Sequence, residues 1–152
     1  MQIILAHPRI PQNAGAVARL AAATRTRLVL ARPLGFRVDD AAVRRAGLDY
    51  WEEARVEVAS SLEAALEDVP GAVYFFSSRA ERLYLDARFQ ADDTLVFGEE
   101  AHGLPPEILA AVPPDRQLRI PIFHPNVRSL NLATAVAIAL YEALRQIGGL
   151  EA

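Results

Sequence analysis

Six short runs of aliphatic, β-branched or aromatic residues recur along the chain, at 2–6, 27–31, 55–59, 72–77, 94–97 and 118–122. Helical spacing of apolar residues fills most of the gaps, at 14–23, 39–46, 61–69, 106–112 and 129–147. Strand and helix alternating along most of the chain point to an α/β fold, a parallel sheet of five or six strands flanked by helical crossovers. The punctuation agrees: Asn13 is placed to cap the first helix, Ser60 and Glu63 have capping-box spacing, and Gly148 and Gly149 end the last helix. No repeat, low-complexity segment or linker divides the 152 residues, so a single domain spanning 1–152 is expected.

Composition removes several classes of function. The longest apolar stretch, 133–141, is about half of the ~20 residues that cross a bilayer, and residues 1–7 carry no basic leader, so neither a membrane span nor a signal peptide is expected. The chain has no cysteine, which excludes disulfides, thiolate metal sites and a cysteine nucleophile, and points to the cytoplasm. His7, His102 and His124 fall in separate loops without ligand spacing and read as loop polar residues, so no metal is expected. Net charge is −3, but residues 1–50 hold eight arginines against three acidic residues, while 51–152 hold eight against sixteen. Every basic side chain is an arginine, whose forked donors suit phosphate, and the first third is the natural place for it. A solvated arginine-rich face accounts for the same charges.

In open α/β sheets ligands bind in the loops that leave the carboxyl ends of the strands, and three such loops stand out. The first runs from His7 through Asn13 and Gly15 to Arg19, the second from Phe97 and Gly98 through Glu100 to Gly103, Leu104 and Pro105, and the third from Ile120 and Pro121 to Ser129, Leu130, Asn131 and Leu132. Gly98 and Gly103 have the outer spacing of a P-loop, yet Leu104 and Pro105 replace its lysine and hydroxyl residue, so triphosphate hydrolysis is excluded. Neither a Gly-x-Gly-x-x-Gly turn nor a Gly-x-Ser-x-Gly elbow is present.

In this order the loops resemble the three motifs of the SPOUT superfamily of RNA methyltransferases, in its ribose 2′-O branch. The segment 44–50, with 33–40 before it and Tyr141, Glu142 and Ala143 after, is similar to the minimal single-domain subgroup acting on the wobble nucleotide, position 34, of tRNA. The pattern departs from the family's at Ala16, Glu99 and Ala133, and the loop 123–127 is one residue longer.

The resemblance implies a sheet whose C-terminal part is tied into a deep trefoil knot, with S-adenosylmethionine bound in the knot loops. It implies a homodimer, to which the alanine-rich last helix is suited. The substrate would be the anticodon stem-loop of tRNA. It makes Arg19, Ser129 and Tyr141 the catalytic candidates, with Arg19 acting across the dimer on the partner's cofactor. Phe76, Gly98, Ile120, Ser129 and Leu130 become the cofactor candidates, and Asn13, Arg19 and Asn131 RNA contacts, while the arginine excess of the first third adds Arg44 and Arg45, with Arg25 and Arg27, as phosphate contacts.

Each has a structural alternative. A glycine at a strand exit, apolar strand ends, and a serine or asparagine at a helix start (Ser129 and Asn131 here) are ordinary features of a fold. Tyr141 has core spacing with Val136 and Leu144, and Glu100 reads as a hydrogen-bond acceptor inside the second loop. Beside the wobble methyltransferase stand a 2′-O-methyltransferase for another RNA, an inactive knotted RNA-binding module, and an unrelated nucleotide-binding α/β domain.

Overall fold

The computed structural model describes residues 1–39, 41–45, 50–51 and 53–151, without the side chains of Ala42 and Arg44. Residues 46–49 of the wobble-subgroup segment lie outside it. Seven strands form one sheet: β1 (Gln2–Ala6), β2 (Arg27–Ala31), β3 (Val56–Ala59), β4 (Val73–Phe76), β5 (Arg82–Leu83), β6 (Thr94–Phe97) and β7 (Gln117–Arg119). Their spatial order is β3-β2-β1-β6-β4-β7-β5 and every pairing is parallel. The helices are α1 (Pro11–Thr24), α2 (Ala41–Arg45), α3 (Leu62–Leu66), α4 (Pro106–Ala111) and α5 (Leu132–Gln146).

The central strands β1 and β6 are apolar beyond their first residues, Gln2 and Thr94, because both sheet faces are covered. All five residues of β1 are buried. Ile3 and Leu5 point into the larger cluster, with Val17 and Ala21 of α1 and Val136 and Leu140 of α5. Ile4 and Ala6, one residue out of step, point into the other cluster with Leu62 of α3 and Leu104, where Ile108 of α4 joins them. The two-residue period of a strand thus sorts one sequence run into two cores. α2 packs beside α1.

Where the structure departs from the sequence expectation, proline and backbone geometry give the reason. The sheet has seven strands instead of five or six, because the edge strand β5 has only two residues and leaves no periodic trace. β7 ends at Arg119 instead of reaching Ile122, since Pro121 brings no N–H to a strand paired on both sides. α1 begins at Pro11, three residues before the expected start; proline suits the first helical position, and Ile10 is the cap, so Asn13 is not. That puts Arg19 more than two turns into the helix. Ser61, not Ser60, caps α3, its hydroxyl accepting from the Ala64 amide at 3.0 Å. The helix stops at Leu66, short of the expected residue 69, with Asp68 in the left-handed region (φ 56°) and Pro70 beyond it. α5 starts at Leu132 with Asn131 as its cap, so Ser129 lies outside the helix.

Candidate functional site

The carboxyl ends of β1, β6, β4 and β7 are neighbours, and the register aligns Phe97, Phe76 and Leu118 across β6, β4 and β7. Gly98 follows Phe97 directly and Ile120 follows Leu118 by two, so three cofactor candidates from distant parts of the sequence meet at one sheet edge. The Phe76 and Phe97 rings stack at 4.6 Å and 15°. The Phe76 side chain belongs to the core, leaving its strand exit, rather than its ring, for a ligand. Ile120 is half-buried and lines a cleft of about 240 Å³ together with Ser78, Arg119, Ile122, Val127 and Arg128. Ser129 is exposed and Leu130 half-buried on the same loop.

Gly98 is required by the chain itself. A Cβ there would lie 2.0 Å from the Gly103 carbonyl carbon, because the second loop folds back on its own start. The Glu99 and Gly103 backbones exchange hydrogen bonds of 3.2 and 2.9 Å, and Gly103 makes the turn at φ +71°. Whatever binds at this edge meets a rigid loop.

One chain of hydrogen bonds joins the three motif loops. Glu100 accepts from the amides of Arg9 (2.9 Å) and Ile10 (3.0 Å) and from the side-chain amide of Asn13 (3.3 Å). Asn13 in turn accepts from the Asn131 side chain at 3.0 Å, and Asn131 accepts from the Thr134 amide at 3.2 Å to cap α5. Asn13, expected at the RNA, is buried, and its side-chain amide is engaged at both ends within the protein. Asn131 is exposed while holding both bonds. Glu100 is thus an acceptor between loops, beyond the role inside one loop that its sequence position suggests.

Beside this joint, Glu99 accepts from the Ala101 amide, pairs with Nδ1 of His102 at 2.6 Å, and lies 3.4 Å from Arg9. Burial alone pushes its carboxyl up, but the bonds from His102 and Ala101 and the Arg9 charge outweigh this, and it is held below its ordinary value. The cluster has no counterpart in the motif reading, where Glu99 figures only as a departure.

Arg19 stands on the exposed face of α1, opposite buried Val17, Ala18 and Ala21. Tyr141 is 47% exposed while Val136 and Leu144 are buried, so within this chain it is not a core residue. Ala139 and Ala143 of α5 are buried in the chain's own core. Arg45 and Arg25 are exposed, and the Arg44 side chain lies outside the described residues. Arg27 is committed to Glu57 through two hydrogen bonds of 2.9 and 2.5 Å that tie β2 to β3. Among the described residues no group of three or more His, Asp or Glu side chains is arranged to hold a metal, and no helix is long and apolar enough to cross a membrane.

Residues 1–141 match the model of the SpoU rRNA methylase family. The chain belongs to this family. It is 46% identical, over 97% of its length and 95% of the relative's, to the tRNA (cytidine(34)-2′-O)-methyltransferase of Aeromonas hydrophila. With the protein of the same name from an Acidovorax species it shares 44% identity over 95% and 90% of the two lengths. A solved structure described as giving structural insights into the 2-OH methylation of C/U34 on tRNA superposes with a TM-score of 0.90 at 49% identity, covering 97% of this chain and 96% of that one.

The methyl donor of this SpoU methylase is S-adenosylmethionine, and the residues at the strand ends fit it. Arg119, Arg128 and Ser78 line a mostly polar cleft beside Ile120 and offer donors for the carboxylate of the donor molecule.

Proposed function

We propose that this methylase acts on tRNA, transferring a methyl group to the ribose 2′-hydroxyl of the wobble nucleotide, cytidine or uridine 34. The observation that carries the proposal is 46% identity over nearly the full length with a wobble methyltransferase, and the motif positions Asn13, Arg19, Gly98, Ser129 and Asn131 of this sequence support it.

Bound S-adenosylmethionine supplies an electrophilic methyl carbon on a sulfonium, so the chain's residues need mainly to orient the ribose and accept its proton. Arg19 grips the phosphate next to the target ribose with its forked donors. Ser129 and Tyr141 present hydroxyls to the reacting nucleotide, and Ser129 with Phe76, Gly98, Ile120 and Leu130 forms the cofactor pocket. Asn131 holds the RNA side of the pocket through the Asn13–Glu100 joint, and Arg44 and Arg45 take phosphates of the anticodon stem-loop.

The same reading makes residues 1–152 one domain, its C-terminal part tied in a deep trefoil knot. It makes the working unit a cytoplasmic homodimer in which Arg19 of one protomer serves the cofactor of the other, without metal or membrane. The exposed positions of Arg19 and Tyr141 support a site completed by a second chain.

Nucleoside mass spectrometry of unmethylated tRNA incubated with labelled S-adenosylmethionine tests the proposal. Labelled 2′-O-methylcytidine or 2′-O-methyluridine at position 34 is expected, with incorporation falling to a slow residual rate in Arg19→Ala. Label at another position or in another RNA class would replace the substrate, and absence of label from every RNA would overturn the activity.

A further inference from the structure

Among the described residues two guanidinium groups stand over tyrosine rings, Arg116 over Tyr74 and Arg19 over Tyr50. The first belongs to the fold, since the Tyr74 ring is buried. The second stands in the open: Arg19 is exposed on α1, Tyr50 is 43% exposed, and the guanidinium carbon lies 5.4 Å from the ring centroid. The partners come from separate parts of the chain, α1 and the segment beyond α2.

We propose that Tyr50 is a positioning residue for Arg19, its ring fixing the direction in which the guanidinium leaves α1. The inference rests on the reading of Arg19 given above. An exposed arginine samples many rotamers, and a group that works by holding a phosphate against a reacting ribose loses rate with every misdirected one. A guanidinium uses its face on an aromatic ring and keeps the N–H groups at its edge for an anion. The ring therefore restrains Arg19 without consuming the donors that phosphate needs. Only the aromatic face enters this argument; the Tyr50 hydroxyl does not.

The test is a double-mutant cycle in the full-length protein, read as initial rates with labelled S-adenosylmethionine and an anticodon stem-loop RNA. Tyr50→Leu is expected to lower kcat about two- to fivefold, the factor that corresponds to an exposed cation–π contact, with KM for S-adenosylmethionine unchanged. Tyr50→Phe is expected to keep the wild-type rate. In the Arg19→Ala background, measured at high enzyme concentration, Tyr50→Leu is expected to change nothing further. An unchanged kcat in Tyr50→Leu, a Phe variant as slow as the Leu variant, or the same loss with and without Arg19 would overturn the proposal. Full activity in Arg19→Ala would strike the role of Arg19 itself, a result distinct from these.

Discussion

Single residues carry the site through bonds that no local pattern announces. Asn13, Glu100 and Asn131 are each visible as motif positions, but their contacts span 87 and 118 residues, and neither periodicity nor spacing encodes a contact at that range. What the sequence offered for each was a local role, a cap or an acceptor within its own loop. The local role held for Asn131, which caps α5, and failed for Asn13, because Pro11 already starts α1. Tyr50 left no mark beyond its place in the subgroup segment. Glu100 is the member with most to lose. Glu100→Ala leaves the Arg9 and Ile10 amides and the Asn13 side chain without their acceptor, at a cost of about 1–3 kcal/mol. Urea unfolding checks this, and a midpoint equal to wild type would show that water replaces the carboxylate at no cost.

At the scale of elements, legibility followed burial. β1, β2 and β6 coincide with their sequence runs to the residue, since strands covered on both faces are continuous apolar runs with sharp polar ends. β5 and the end of β7 were not legible: two residues have no period, and the apolar run through Ile120 and Ile122 continues past the proline that stops the pairing. Caps behaved likewise. Ser60 and Ser61 are both hydroxyl residues ahead of Glu63, and which of them caps depends on where the chain leaves β3, which ends at Ala59. The Ser61 hydroxyl holds the Ala64 amide, so Ser61→Ala is expected to cost about 1 kcal/mol, while Ser60→Ala is expected to stay within about 0.5 kcal/mol of wild type. Equal losses in the two variants, read from denaturant midpoints, would return the cap to both.

Over the whole molecule, the sequence carried the α/β class but not the order of the strands, because β6 inserts between β1 and β4 through pairings remote in the chain. Charge shows the same limit. The arginine excess of the first third is real as a count, yet Arg27 is spent on Glu57 and Arg37 on Asp39, so it is not one free surface. Carboxylates held in such pairs instead set the response of the molecule to acid. Hydrogen bonds from Arg27 hold Glu57 below its ordinary value, those from Arg145 and Gln146 do the same for Glu142, and Glu99 is held down by His102 against its burial. Each binds its proton more weakly folded than unfolded, so the stability it contributes is complete above the ordinary value of 4.5 and is lost as pH falls through the depressed folded value. Glu142 is the informative member, because Gln146, which it orients on α5, also bonds the backbone of Ala87 and Phe89 and fixes the segment that leads into β6. Urea midpoints are therefore expected to drop below about pH 5, and to drop less steeply in Glu142→Gln, which has no proton to take up. Parallel slopes in the two proteins would mean that the Glu142 bonds persist in the unfolded chain or are absent from the folded one.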